Sequence, residues 1–400
     1  MGADGDVGAR IRVLREASGL LAQEFAAAID LDPTVVSNIE RGLRAVKTSE
    51  LTRIARALRI SPLAILDENS LLARMPMAAR AQGVLVAESD VYNKLTVLAE
   101  LHEVLSRGGI SNHPRLDDLP TVKNEYWKRA ADKLAAWVFD HIELRSDGID
   151  RFAQLNDAIE RDLGIDVVVA PSREEDFFGA AITDREFPVI FVQSSQLRAR
   201  ALFTLAHELG HVLVQDGVHY SIDTDLAGRD DRERLANAFA ASVLMPEAEV
   251  RDMLDSGGRT AQSVARMLIK FGVSFESLVY RLYNLRLIDE VSRGRLHAAG
   301  WGGLMGQMSE SDSDQKLAAQ LISARNTTVE PQPPHLLCAR LWTGFRQGVV
   351  SIRPLAGLLG EDPDDLLASL ADEELSGWNN EHSDPDSNAS DETLFSGDPV

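Results

Sequence analysis

A single cysteine, Cys338, stands in 400 residues, so no internal disulfide can form and no thiolate cluster can hold a metal. Long apolar runs are missing too, since none approaches the roughly 18 uninterrupted residues a membrane helix requires. The start, Met1-Gly2-Ala3-Asp4-Gly5-Asp6, lacks the basic and apolar regions of a signal peptide. These absences lead to the expectation of a cytoplasmic protein with no membrane partner. Lys and Arg are absent from residues 361–400, which hold 13 acidic residues. Of the formal net charge of −21, only −8 therefore falls on the other 360 residues. The acidity is local, and a separate module elsewhere can still bind nucleic acid.

What is present is ordinary for globular protein, with 44% hydrophobic and 26% charged residues, enough for two or three domains with a large core. Within it, Phe203-Thr204-Leu205-Ala206-His207-Glu208-Leu209-Gly210-His211 sets two imidazoles four residues apart with a carboxylate beside the first. On a helix the two rings share one face. A zinc ion accepts two such nitrogens, and Glu208 is left to take a proton from water at the metal, which is a hydrolase arrangement. With nine His in the chain, this pattern arises by chance on the order of 0.01 times, so it is read as a signal. Leu202, Phe203, Ala206, Leu209, Gly210 and Leu213 recur at helical spacing, with Ser194 or Ser195 as the expected cap.

A catalytic zinc site typically has three protein ligands and one open position. The candidate third ligand is Glu233, in Asp231-Arg232-Glu233-Arg234-Leu235-Ala236-Asn237-Ala238-Phe239-Ala240. Ala236, Asn237 and Ala240 lie three, four and seven positions on, which puts the carboxylate on the small, apolar face of a second helix, where a bare charge is costly and a bound metal removes the cost. Asp223, Asp225 and Asp230 compete for the role, and a surface Glu paired with a neighbouring Arg is the plain alternative. His219 and Tyr220, between the two helices, are candidate donors to a developing oxyanion.

These residues resemble the ImmA/IrrE-type metallopeptidases, in which Phe-Thr-Leu-Ala-His-Glu-Leu-Gly-His is followed by Glu-x-x-Ala-Asn-x-Phe-Ala and Leu-Met-Pro. The resemblance covers roughly Gly164 to Asp289. It implies that His207, His211 and Glu233 are zinc ligands and Glu208 the catalytic base. It also implies a protein substrate of the helix-turn-helix repressor class, cut after stress or induction.

Gly8 to Leu66 reads as an all-helical unit with helices at about Arg10 to Ser18, Ala22 to Ala28, Pro33 to Glu40, Ser49 to Leu58 and Pro62 to Leu66. Leu21-Ala22-Gln23-Glu24-Phe25-Ala26 and Val36-Ser37-Asn38-Ile39-Glu40-Arg41-Gly42 resemble the helix-turn-helix of phage-repressor and xenobiotic-response regulators. That resemblance implies a double-stranded DNA operator. Thr34, Val35, Ser37 and Asn38 would read bases, and Gln23, Arg41, Arg44 and Lys47 would lie nearer phosphates. A homodimer fits it, because such units often pair to read two half-sites. Leu21, Ala22 and Asp30 depart from the usual Ser or Thr cap, Gln and turn Gly, which weakens the cap and the DNA contacts. Met1 to Leu66 carries nine Lys plus Arg against eight Asp plus Glu, so protein binding or dimerisation is the competing use of this unit.

The remaining divisions are a helical connector over 67–147, a metallopeptidase domain over 148–300, a flexible joint at Gly302 to Asp314, a helical region over 315–370 and an acidic disordered tail over 371–400. In the connector, Trp127, Trp137, Val138 and Phe139 are expected to pack together, and His102, His113 and His141 show no ligand pattern. Strands are expected at Ile165 to Ala170, Ala180 to Thr183 and Val189 to Val192, with Phe187 to Val192 offered as an edge that could hold an extended peptide. The expected fold is mainly α with a small β-sheet (α+β): an N-terminal all-α helix-turn-helix domain, then a zincin-like metallopeptidase domain with a helical C-terminal extension. The expected function is a DNA-binding regulator fused to a Zn2+-dependent endopeptidase cutting a repressor or antitoxin-like protein, or the chain's own linker. Its rivals are a transcription factor whose peptidase-like domain acts only as a sensor or interaction module, and a zinc hydrolase of small amides.

Overall fold

Val167-Val168-Val169 and Val189-Ile190-Phe191-Val192 are β-branched and aromatic runs suited to a sheet buried on both faces. In the computed structural model they lie side by side at its heart. The structure describes residues 3–58, 60, 62–66, 90–123, 125–143, 150–173, 177–214, 220–223, 231–308 and 311–370. It falls into two units, Met1–Arg340 and Leu341–Val400. The predicted acidic tail lies outside the described residues, as do Asp225, Asp230 and His219.

The first unit opens with five helices, α1 (Ala3–Ala17), α2 (Ala22–Ala28), α3 (Pro33–Glu40), α4 (Thr48–Leu58) and α5 (Pro62–Leu66). Ile11, Phe25, Ala26, Ile29, Val36, Ile39, Ile54 and Ile65 are buried among them. Asp32 caps α3 by accepting from the Thr34 N–H at 2.7 Å. Leu21 cannot cap α2 with its side chain, but the Glu24 carboxylate accepts from the Leu21 N–H at 2.9 Å, supplying half of a capping box. Asp30, in the turn where glycine is usual, adopts φ 54°, a left-handed conformation Asp tolerates better than most residues.

Then come α6 (Asp90–Arg107), α7 (Trp127–His141) and α8 (Arg151–Ala158), the last running into a π turn at Ile159–Leu163. Four strands follow: β1 (Asp166–Ala170), β2 (Gly179–Thr183), β3 (Pro188–Gln193) and β4 (Tyr220–Asp223), in the order β1-β3-β2-β4. β1 and β3 are parallel, with Val168 opposite Phe191; β2 is antiparallel to both β3 and β4. Asp184 makes the β2–β3 turn by accepting from the Glu186 and Phe187 N–H groups. β3 is therefore paired on both sides, and the proposed peptide-holding edge at Phe187 to Val192 is corrected: its backbone groups are consumed by β1 and β2.

The helix α9 (Arg198–Val214) packs on the sheet, α10 (Asp231–Leu244) packs on α9, and α7 lies along α10 with Ala131, Leu134, Trp137 and Val138 in the shared core. Phe139, expected in that packing, is 43% exposed. The start of α9 also departs from expectation. Neither Ser194 nor Ser195 caps it; the Arg198 N–H donates to the Thr327 carbonyl at 2.8 Å, from a strand-like strap over 327–332. That strap also exchanges hydrogen bonds between Gln332 and Val169 and between Val329 and residues 195–196, covering the side of β1 away from β3.

Helices α11 (Glu247–Gly257), α12 (Ala261–Phe271), α13 (Phe275–Asn284), α14 (Glu290–Gly306) and α15 (Asp312–Asn326) complete this unit up to α16 (His335–Arg346), within which it ends. The predicted joint at Gly302 to Asp314 is largely helix. Its Gly-rich part continues α14 beyond a kink at Gly300 (φ 57°), and its Ser and acid residues start α15, where Ser311 accepts from the Asp314 N–H at 3.3 Å. In the second unit, α17 (Arg353–Leu359) and a helical run at 363–370 bury Leu355, Ala356 and Leu366. Among the described residues no helix is long and apolar enough to cross a membrane. The fold class is as expected, mainly helical with a small mixed sheet, an N-terminal helix-turn-helix region and a helical C-terminal extension.

Candidate metal centre

Helical spacing alone puts His207 and His211 on one face of α9, and the structure brings their Nε2 atoms to 3.0 Å from each other. His207 is fully buried and His211 nearly so. Glu233 comes from α10, which must pass close to α9 for a short carboxylate to reach. The approach is set by small residues: a Cβ on Gly210 would stand 2.9 Å from Phe239 Cδ1 and 3.3 Å from Ala236 Cα. Across this gap Glu233 Oε2 lies 3.2 Å from His207 Nε2, and Oε1 lies 3.3 Å from His211 Nε2.

The three side chains thus turn ligand atoms toward one point, all within 4.8 Å of one another. A tetrahedral zinc ion with ligands at about 2.0 to 2.1 Å keeps them about 3.3 Å apart, so the spacing fits. The chemistry fits as well. Lone pairs from two imidazoles and a carboxylate repel at this separation unless a proton or a cation lies between them. Burial opposes ionisation of Glu233, but hydrogen bonds and charge from His207 and His211 outweigh it and hold the carboxyl below its usual range. On the outer side of this cluster, Asn237 Oδ1 lies 3.1 Å from His207 Nδ1. Sequence reasoning gave Asn237 no role, although its spacing of four from Glu233 was a usable signal.

Glu208 is fully buried beneath the first residue of β2. A Cβ on Gly179 would stand 2.4 Å from Thr204 Cγ2 and 2.9 Å from Glu208 Oε1, so only glycine lets the sheet rest on this carboxylate. Asp223, the described rival to Glu233, pairs through its backbone with Gly179, and Tyr220, the candidate oxyanion donor, pairs likewise with Ile182.

The predicted DNA-facing residues gather on α2, α3 and the turn after it. Gln23, Thr34, Ser37, Arg41 and Lys47 are exposed, and Val35, Asn38 and Arg44 half-buried. Two of the arginines are already engaged. Arg41 donates to Asn38 Oδ1 at 2.8 Å, and Arg44 grips Glu50 through both nitrogens at 2.8 and 3.0 Å. Arg44 thereby holds the Glu50 carboxyl below its usual range.

A second buried polar group, unread in the sequence, lies where α16 meets β1. Glu160 Oε1 accepts from the N–H groups of Val167 and His335 at 3.3 and 2.9 Å, and Asp166 is paired with Arg340. Arg340 also lies 3.2 Å from His102 Nδ1, and the His102 ring stacks on Phe187. Burial raises the Glu160 carboxyl to about 8 and lowers His102 to about 4.

With this geometry in view, comparison with known proteins gives two domain matches. Residues 160–283 match the IrrE N-terminal-like domain, and residues 11–65 match a helix-turn-helix domain. Two relatives are radiation response metalloproteases named IrrE. That of Deinococcus radiodurans is 35% identical over 104 residues, 25% of this chain and 32% of the relative. That of Deinococcus deserti is 34% identical over 104 residues, 25% of this chain and 37% of the relative. The chain spans about a third of the length of these curated relatives. The matched stretch contains His207, Glu208, His211 and Glu233, and the chain therefore carries a domain similar to the IrrE N-terminal-like domain, preceded by one similar to a helix-turn-helix domain.

Proposed function

We propose that this protein is a DNA-binding regulator fused to a zinc-dependent endopeptidase, and that it cleaves a repressor-type or antitoxin-like protein in a stress or induction response. The observation that carries the reading is the convergence of His207, His211 and Glu233 on one point, beside a buried Glu208. The relatives' name, radiation response metalloprotease, supports the stress setting. The working division is 8–66 for DNA, 67–147 as connector, 148–300 for peptidase, and 315–370 and 371–400 as C-terminal region and tail.

Two imidazoles and one carboxylate suit zinc and leave a position open. Bound zinc would polarise the scissile carbonyl and acidify water. Glu208 would take the proton from the attacking water and pass it to the leaving amine nitrogen. The fully buried setting of Glu208 keeps its carboxylate where β2 and α9 meet, fixed by Gly179. On the DNA side, Ser37 and Thr34 are exposed hydroxyl groups of α3, with Gln23, Arg41 and Lys47 also exposed.

The test is to purify the chain, measure zinc per protein, and incubate it with repressors encoded nearby, reading products by mass. Glu208→Gln is expected to keep zinc and lose cleavage. If that variant regulates DNA-linked output as well as the parent, the domain is a sensor and the peptidase reading fails. Replacing Ser37 and Asn38 is expected to weaken operator binding by about 1 to 3 kcal/mol for each base that the variant no longer reads.

A further inference from the structure

His207 has two ring nitrogens and, being fully buried, no access to bulk water for either. Its Nε2 is committed to the ligand cluster, 3.0 Å from His211 Nε2 and 3.2 Å from Glu233 Oε2. A neutral imidazole that offers the lone pair of Nε2 must carry its hydrogen on Nδ1. That hydrogen needs an acceptor, and the atom facing it is Asn237 Oδ1 at 3.1 Å. With the amide turned the other way, its NH2 group would face Nδ1 and force the hydrogen onto Nε2, closing that nitrogen to a metal.

We propose that Asn237 is a positioning residue: its amide oxygen holds the hydrogen of His207 on Nδ1 and so keeps Nε2 open as a ligand. This rests on the reading of His207, His211 and Glu233 as a zinc site. Asn237 stands one helical turn beyond Glu233, so α10 supplies both the third ligand and the acceptor behind the first ligand. α9 and α10 each act through a pair of residues four apart, and their close crossing at Gly210 brings the pairs together. Any shift of α10 would then alter ligand number and ligand protonation at once.

The experiment uses the full chain with Asn237→Ala, Asn237→Leu and Asn237→Asp, with zinc affinity measured by competition against a chromogenic chelator. Loss of such an outer partner typically weakens a metal site by about 10- to 100-fold, and that loss is expected for Ala and Leu. Asp, which keeps an acceptor oxygen in place, is expected to restore affinity to within about threefold of the parent, short of that loss. A parent that takes up zinc but is matched by Asn237→Ala overturns the positioning role alone. A parent that binds no zinc overturns the metal reading and the proposal with it.

Discussion

Two buried groups of acids and imidazoles lie within the Met1–Arg340 unit, and they differ in where their positive charge comes from. At the α16–β1 junction Arg340 pairs with Asp166 and approaches His102, so the cation is covalently part of the chain. In the other group the ligand atoms of His207, His211 and Glu233 face one another at the spacing of a zinc site, and the cation that suits them is one the chain must take up. Similar residue types thus serve two ends. Where the chain provides its own guanidinium the group is an anchor, tying α16 and α6 to the sheet. Where three sets of lone pairs converge, the group is suited to a metal ion.

Removing each cation should separate the two most sharply. Arg340→Met leaves Asp166 buried without its partner, and is expected to cost about 3 to 5 kcal/mol in urea unfolding, with zinc or without. Equal stability of variant and parent would mean that the anchor is not an ion pair in solution. Glu233→Gln is expected to remove the carboxylate's contacts with His207 and His211 in zinc-free protein and to cost further stability when zinc is present. The parent should gain about 4 kcal/mol at zinc a thousandfold above its dissociation constant, and the variant should lose most of that gain. A gain retained by the variant would assign the third ligand to another side chain.

Gly210→Ala tests whether close helix approach makes the metal cluster. The added methyl meets Phe239 and the Ala236 backbone, and a loss of about 1 to 3 kcal/mol is expected together with weaker zinc binding. The last effect is a slope. Burial raises the folded-state Glu160 carboxyl from 4.5 to about 8, so the folded state binds this proton more tightly than the unfolded chain. Its contribution is most favourable below about pH 4.5 and declines as pH rises through 8, at up to about 1.4 kcal/mol per pH unit. Glu160→Gln should flatten that part of the stability profile in zinc-free protein.

The grouping of His207, His211 and Glu233 was readable because two of its members sit four residues apart on one helix, and its third falls in a second helix with small neighbours. The anchor was not, since Glu160, Asp166 and Arg340 are scattered over 180 positions and His102 has no local pattern. The same limit explains two misread segments. Gly302 to Asp314 has linker composition, yet Ser311 is a helix cap. Phe187 to Val192 has the composition of any strand, and being central or at an edge depends on which other strands find it.

The sequence by itself determined what repeats along one helix or strand: α3 with its Asp32 cap, the shared face of His207 and His211, and the apolar runs of β1 and β3. Backbone geometry sets those periods within a few residues. Only the tertiary structure decided which atoms meet across elements: Glu233 with both imidazoles, Asn237 behind His207, Gly179 above Glu208, and the strap from Thr327 closing the start of α9. Such meetings depend on how closely whole elements pack, and that closeness is fixed by residues distant in the chain.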